Sequence, residues 1–272
     1  MEIEHVHEFF LTPEQVIMIP LCVFLGLFGL AWGSFTDCAV SRWAAGERMF
    51  VGRSRCLACG HTLGARDLVP VFSFLARRGR CRHCGEKIPA ECLAAELAGA
   101  AGFVCLGARF GLSLALGQWV IWWAVLLAVF LTDWAKRTIP DRLLLGLAAN
   151  RVVWFFALGE APEAAPVLLE VLKACAVPAV LLVLVLLAEK FLQGREIMGG
   201  GDIKLLSALA LYLSWVELML ALLIGCAAGL LFAALARKKR GAAVAFGPFL
   251  TLGALAAVCF GAPLIEWYFS LF

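Results

Sequence analysis

Charge is scarce in this sequence. Asp, Glu, Lys and Arg make up 16% of the 272 residues, gathered in a few short stretches between long apolar runs. Soluble globular chains are about half apolar; this one is 63% hydrophobic with a mean hydropathy of +0.92, and the excess has to face lipid. Other features are missing too. There is no soluble domain, no repeat of fixed period and no inverted repeat. No G-x-G-x-x-G follows a strand pattern, which excludes a Rossmann nucleotide site. The opening MEIEHVHEFF is acidic and lacks the positive n-region of a secretory signal, and no A-x-A-like cleavage site precedes Val16. The first apolar run is therefore expected to remain as a span. The net charge of +3 carries no message about nucleic acid, because the basic clusters mark membrane topology.

A hydrocarbon core needs about 20 mostly apolar residues per helix. By that measure the chain is an all-α, polytopic membrane bundle of about eight spans, near 15–41, 90–111, 115–134, 141–158, 166–190, 202–213, 215–237 and 246–270. It divides into an N-terminal span (1–41), a loop (42–89) and a bundle (90–272). From Arg42 to Lys87 the loop carries ten Arg and Lys against Glu47, Asp67 and Glu86, so the positive-inside rule puts it in the cytoplasm and the N-terminus outside. Counting crossings from there, the loops at Lys136 and Arg137, at Lys190 and Arg195, and at 237–240 fall inside. The acidic turn 159–163 falls outside.

Asp133 ends the third span in LTDWAKRTIPD, and Asp202 opens the sixth in MGGGDIK. Two complete crossings separate them, so both carboxylates lie at the cytoplasmic edge. Ionisable groups at membrane depth are costly and mark function. Two close carboxylates share one proton: one member serves as general base to a water, the other as general acid to a carbonyl oxygen. Gly199, Gly200 and Gly201 let an extended substrate backbone approach and leave room for an unusual turn at the helix start. Lys204, off the helical face of Asp202, is a candidate for substrate contact or pKa tuning. The structural alternative is that Asp133 marks a span boundary and Asp202 caps a helix. Asp141, after Pro140, reads as a first-turn residue suited to the helix dipole.

Of eleven cysteines, seven (Cys22, Cys38, Cys92, Cys105, Cys175, Cys226, Cys259) lie singly in or beside apolar runs and read as packing residues. The other four form Cys56-Leu57-Ala58-Cys59 and, 21 residues on, Cys81-Arg82-His83-Cys84. Paired C-x-x-C knuckles are the pattern of a tetrathiolate zinc site, with Gly60 and Gly85 placed for the tight turns. A reducing compartment argues against disulfides, and the paired spacing against free thiols. His61 or His83 could replace a thiolate, but four cysteines already complete a tetrahedron, so the metal is structural and staples a loop with few apolar anchors.

These residues resemble the type IV prepilin peptidases over most of the chain. The likeness is carried by GSFTDCAVSRW at 33–43, RSRCLACGHTL at 53–63, LVPVFSFLARRGRCRHCG at 68–85, DWAKRTIPD at 133–141, EIMGGGDIKLL at 196–206 and FGPFL at 246–250. The resemblance implies a multi-pass enzyme of the bacterial inner membrane that removes positively charged leaders from prepilins or pseudopilins, cutting after a glycine on the cytoplasmic side. Many such enzymes then N-methylate the new terminus with S-adenosylmethionine. It further implies that Asp133 and Asp202 are the catalytic pair, and that Cys56, Cys59, Cys81 and Cys84 bind zinc in a loop associated with methylation. The family commonly has Asn at the position of Asp37 and Pro at that of Leu57; the first departure bears on methylation, not on the peptidase pair.

Three other classes compete. An ion-coupled transporter also uses intramembrane carboxylates and glycine breaks, but near the midplane, whereas both aspartates here lie at span ends beside basic loops. A presenilin-type protease shares G-x-G-D but lacks the zinc loop, IPD and FGPFL. A pure methyltransferase would need a donor site of a kind the sequence does not locate.

Overall fold

A computed structural model gives the fold. It describes residues 13–49, 52–56, 58–158, 199–236 and 245–270, with isolated positions between 172 and 190. Among these residues the regular structure is helical, with no strand and only two isolated β-bridges, Arg55 with Thr62 and Arg80 with Lys87. The helices are α1 (Pro13–Ala44), α2 (Phe72–Ala76), α3 (Ala90–Phe110), α4 (Leu114–Lys136), α5 (Asp141–Ala157), α6 (Gly200–Ala210), α7 (Trp215–Leu235) and α8 (Gly247–Phe269); a 3₁₀ turn (Ala65–Asp67) precedes α2.

Local chemistry explains several helix ends. Ser113 caps α4 by accepting the Leu116 N–H at 3.3 Å, and the other end stops where Arg137 turns left-handed, φ 55°. Pro140 then sets the extended entry into α5. Ser214 and Glu217 form a capping box at the start of α7.

Five of these helices, α1, α3, α4, α7 and α8, are long and apolar enough to cross a bilayer. The chain is an all-α, multi-pass membrane protein. Eight spans are not confirmed. The expected span at 166–190 lies largely outside the described residues, and the expected sixth span is α6, only 11 residues long. At 1.5 Å per residue α6 reaches about 16 Å, roughly half of a hydrocarbon core. Such a helix is tolerated where protein surrounds it, and α6 packs against α5, α7 and α8.

At the centre of the bundle α4 contacts α1, α3, α5 and α8. Its Trp122, Trp123, Leu126, Leu127 and Val129 are buried, whereas α1 and α7 turn Phe24, Leu27, Leu223 and Leu230 outward, as lipid-facing helices do. The α1/α3 crossing depends on missing side chains. A Cβ at Gly33 would collide with the carbonyl of Ala95, and one at Gly99 with the carbonyl of Gly29. Close backbone approach through small residues is how membrane helices gain contact when lipid removes the hydrophobic drive between them. A polar latch anchors the far end of α6. Asn150 Nδ2 donates to the Gln118 carbonyl at 3.2 Å and to Tyr212 Oη at 2.9 Å, and Tyr212 Oη donates to the Leu147 carbonyl at 2.6 Å.

Candidate active site and metal centre

Asp133 lies in the last turn of α4 and Asp202 in the first turn of α6. Both line one cleft of about 470 Å³, together with residues 137–141, Gly199, Gly200, Gly201 and Lys204. The two carboxylates are near enough for the charge of Asp133 to act on Asp202. Asp133 is 95% buried at this end of the bundle, and among the described residues its Oδ2 has no hydrogen-bond partner. The backbone N–H of Gly199, the N-cap residue of the same helix, is directed toward the Asp202 carboxylate.

The glycine run borders open space. Nothing would touch a Cβ at Gly200, and one at Gly201 would meet only Ile139, at 3.5 Å. The room for a substrate backbone is therefore present. The unusual turn is not: none of the three glycines has positive φ, and α6 starts from an ordinary extended Gly199 (φ −67°, ψ 140°). Lys204 lines the cleft, but its Nζ pairs with Asp141 Oδ1 at 2.8 Å. That pair is exposed and joins α6 to the first turn of α5.

The four cysteines of the loop come together. Their sulfurs all lie within 4.8 Å of one another, with Cys56 and Cys84 at 3.8 Å. A tetrahedral zinc with Zn–S of about 2.3 Å has an S···S edge of about 3.8 Å, so the donor set fits a metal ion. The two knuckles are built alike. Gly60 N–H returns to the Cys56 carbonyl and Gly85 N–H to the Cys81 carbonyl, with φ of 71° and 73° at the glycines. Backbone N–H groups of Cys84 and His83 hold the Cys81 thiol down at about 6. Against the N–H of Glu86, desolvation and the neighbouring thiols push Cys84 up to about 12. Four sulfurs this close do not all ionise without a cation between them, which a divalent metal supplies. The His61 and His83 rings lie tilted against each other, 3.4 Å between centroids, and are not part of the cluster.

Residues 27–110 match the bacterial peptidase A24 N-terminal domain, and residues 119–234 match the type IV leader peptidase family. This chain belongs to the type IV leader peptidase family. Similar proteins named prepilin leader peptidase/N-methyltransferase occur in Burkholderia pseudomallei strain 1026b, 37% identical over 246 residues (86% of this chain, 75% of the relative). Others are those of Bacillus subtilis strain 168, 31% over 260 residues (91% and 97%), and Aeromonas hydrophila, 32% over 288 residues (90% and 93%). No solved structure matches.

Two residues of this leader peptidase escaped the reading by motif. Gly247 opens α8 against Asp133: its N–H is directed at the carboxylate, and a Cβ there would lie 2.7 Å from Oδ2. The FGPFL segment signals a helix start, but not which side chain it faces. Glu96, in the interior of α3, is 92% buried and accepts the N–H of Val71 at 2.6 Å. Val71 has φ 60°, rare for a β-branched residue, so the loop is fastened to α3 at a strained point. An acid inside an apolar helix was the available signal for Glu96.

Proposed function

We propose that this chain removes leaders from prepilins or pseudopilins with Asp133 and Asp202 and then methylates the new amino terminus. The observation that carries the reading is that the two aspartates, 69 residues apart in sequence, line one cleft beside a run of glycines. With one carboxylate ionised and the other protonated, the ionised member takes a proton from water as the water oxygen bonds to the scissile carbonyl carbon. The protonated member gives its proton to the carbonyl oxygen. Collapse of the tetrahedral intermediate breaks the C–N bond, the amine leaves with a proton from the pair, and the leader departs as a carboxylic acid. The buried position of Asp133 favours sharing of one proton over double ionisation. Asp133 lies three residues from the end of α4, which suits a peptide arriving from the aqueous side better than an ion crossing at the midplane.

In the same reading the protein lies in the bacterial inner membrane with its N-terminus periplasmic and the cleft cytoplasmic, as the basic loops favour. Cys56, Cys59, Cys81 and Cys84 hold one structural zinc. S-adenosylmethionine supplies the methyl group, and residues 42–89 serve that step while 90–272 form the peptidase bundle. Mass spectrometry of the amino terminus of a coexpressed prepilin tests both halves. Leader loss with a gain of one methyl is the expected result, and an intact leader with the protein present in the membrane would refute the peptidase.

A further inference from the structure

Away from the aspartate cleft, a cavity of about 210 Å³ lies where the end of α1, the start of α3 and the zinc loop meet. Its lining includes Asp37 and Arg42 of α1, Glu96 of α3, and the apolar side chains of Leu63, Phe74 and Ile88. Four carboxylates line it, and two are already neutralised. Glu47 pairs with Arg55, and Asp67 with Arg77 at 3.0 Å. The other two are not. Asp37 lines the cavity beside Cys92, Glu96 accepts the Val71 amide N–H, and among the described residues neither carboxylate has a cation within ion-pair distance. Arg42 donates to the Gly52 carbonyl at 2.8 Å, so its charge is not spent on a carboxylate of the wall.

A cavity lined by two uncompensated carboxylates, a guanidinium and aromatic and aliphatic side chains suits a zwitterionic, net-cationic ligand with a flat heterocycle. A sulfonium nucleoside has that chemistry. Its sulfonium and ammonium centres seek carboxylates, its own carboxylate a guanidinium, and its base an apolar surface. We infer that this cavity is the methyl-donor site, with Glu96 and Asp37 as counter-charges to the cationic half of the donor and Phe74, Leu63 and Ile88 against the base.

The inference rests on the methyl-transfer half of the proposed function and adds where that step occurs. The helix end that carries Asp133 touches the ends of α1 and α3, the two helices that help to wall the cavity. Lys136, three residues after Asp133, lies 5.0 Å from the Trp43 ring and donates to the Trp43 carbonyl at 3.5 Å, which joins the α4 end to the α1 end. Trp134 likewise donates to Glu91 of α3 at 3.5 Å. The same carboxylates could instead hold the ammonium of the client's new amino terminus, and the experiment separates the two.

Purified full-length protein is irradiated with ultraviolet light in the presence of radiolabelled S-adenosylmethionine, and the labelled peptides are identified by mass spectrometry. Calorimetry then compares donor binding by wild type and Glu96→Gln, which keeps an oxygen for the Val71 amide but removes the charge. Label within 34–47, 63–74 or 88–96, and a donor Kd raised at least about tenfold in Glu96→Gln, the scale of one lost charge-assisted contact, are expected. Label concentrated elsewhere overturns the site, whether or not the variant folds. An unchanged donor Kd with weakened binding of a peptide bearing the mature amino terminus also overturns it, and assigns the carboxylates to the client. A wild type that binds no donor at all sinks the methyl-transfer reading and this site with it.

Discussion

Gly247→Ala tests the peptidase geometry without touching either carboxylate. Its Cβ would stand 2.7 Å from Asp133 Oδ2 and 3.1 Å from Cγ. Ordinary contact between carbon and oxygen begins near 3.3 Å, so the carboxylate or the start of α8 has to yield by about half an ångström. Displacement of a reacting group by about 1 Å costs on the order of a hundredfold in rate. We therefore expect kcat for leader removal to fall about 10- to 100-fold, with KM close to wild type, because the client is bound along the cleft and not by this glycine. Stability should move little or in the opposite direction, since Ala at a helix position is favoured over Gly by roughly 0.5–1 kcal/mol. The assay is single-turnover cleavage of a solubilised prepilin, followed by mass shift, beside a thermal melt of the same preparation. A wild-type kcat in Gly247→Ala would refute the argument that α8 positions Asp133.

Asp133→Asn and Asp202→Asn should each abolish cleavage while leaving membrane insertion intact, because one carboxylate cannot be both base and acid; near-normal cleavage by either removes the pair from the mechanism. Asp141→Ala should be mild, about 1 kcal/mol or less, since it loses a first-turn charge and an exposed pair to Lys204, and equilibrium unfolding of the variant measures this. Metal analysis should find about one zinc per chain, lowered in Cys56→Ser and released as pH falls, because protons compete with the metal for thiolate sulfur; zinc-free protein prepared without chelators would count against the site. Cys81→Ser should impair methylation more than cleavage in one coexpressed prepilin, and an equal fall in both at constant protein level would show that loop and cleft act as one unit.

Much of this arrangement was legible in sequence because a membrane simplifies the code. Seven of the eight expected spans coincide with described helices to within three residues at each end, but only five of these are long and apolar enough to cross a bilayer; Ser113, Pro140 and Ser214 punctuate the runs. Asp133 and Asp202 line one cleft, as the count of crossings expects, although the span at 166–190 on which that count relies lies largely outside the described residues. The cysteine cluster followed from spacing, since two short knuckles have few ways to present four sulfurs. What stayed hidden depends on partners distant in sequence. Gly247 matters through Asp133, 114 residues earlier, and the pairing of Glu96 with Val71 needs the loop already folded against α3. The glycines before Asp202 looked like turn residues by composition; the backbone angles show no such turn, and of the three Gly200 is the one that borders open space.

The depth of Asp133 has one more consequence. Three residues, about 4.5 Å of helix rise, separate it from the end of α4, and Asp202 meets it from a helix that traverses only about half the bilayer. On the proposed chemistry the cutting groups are thus fixed at a set height near the interface. On that reading, a client anchored in the lipid by an apolar helix of its own would offer whichever bond its anchor holds at that height. The bilayer then acts as a ruler, and lengthening or shortening the client between its anchor and the cut by a single turn should move the bond out of register as effectively as changing its sequence.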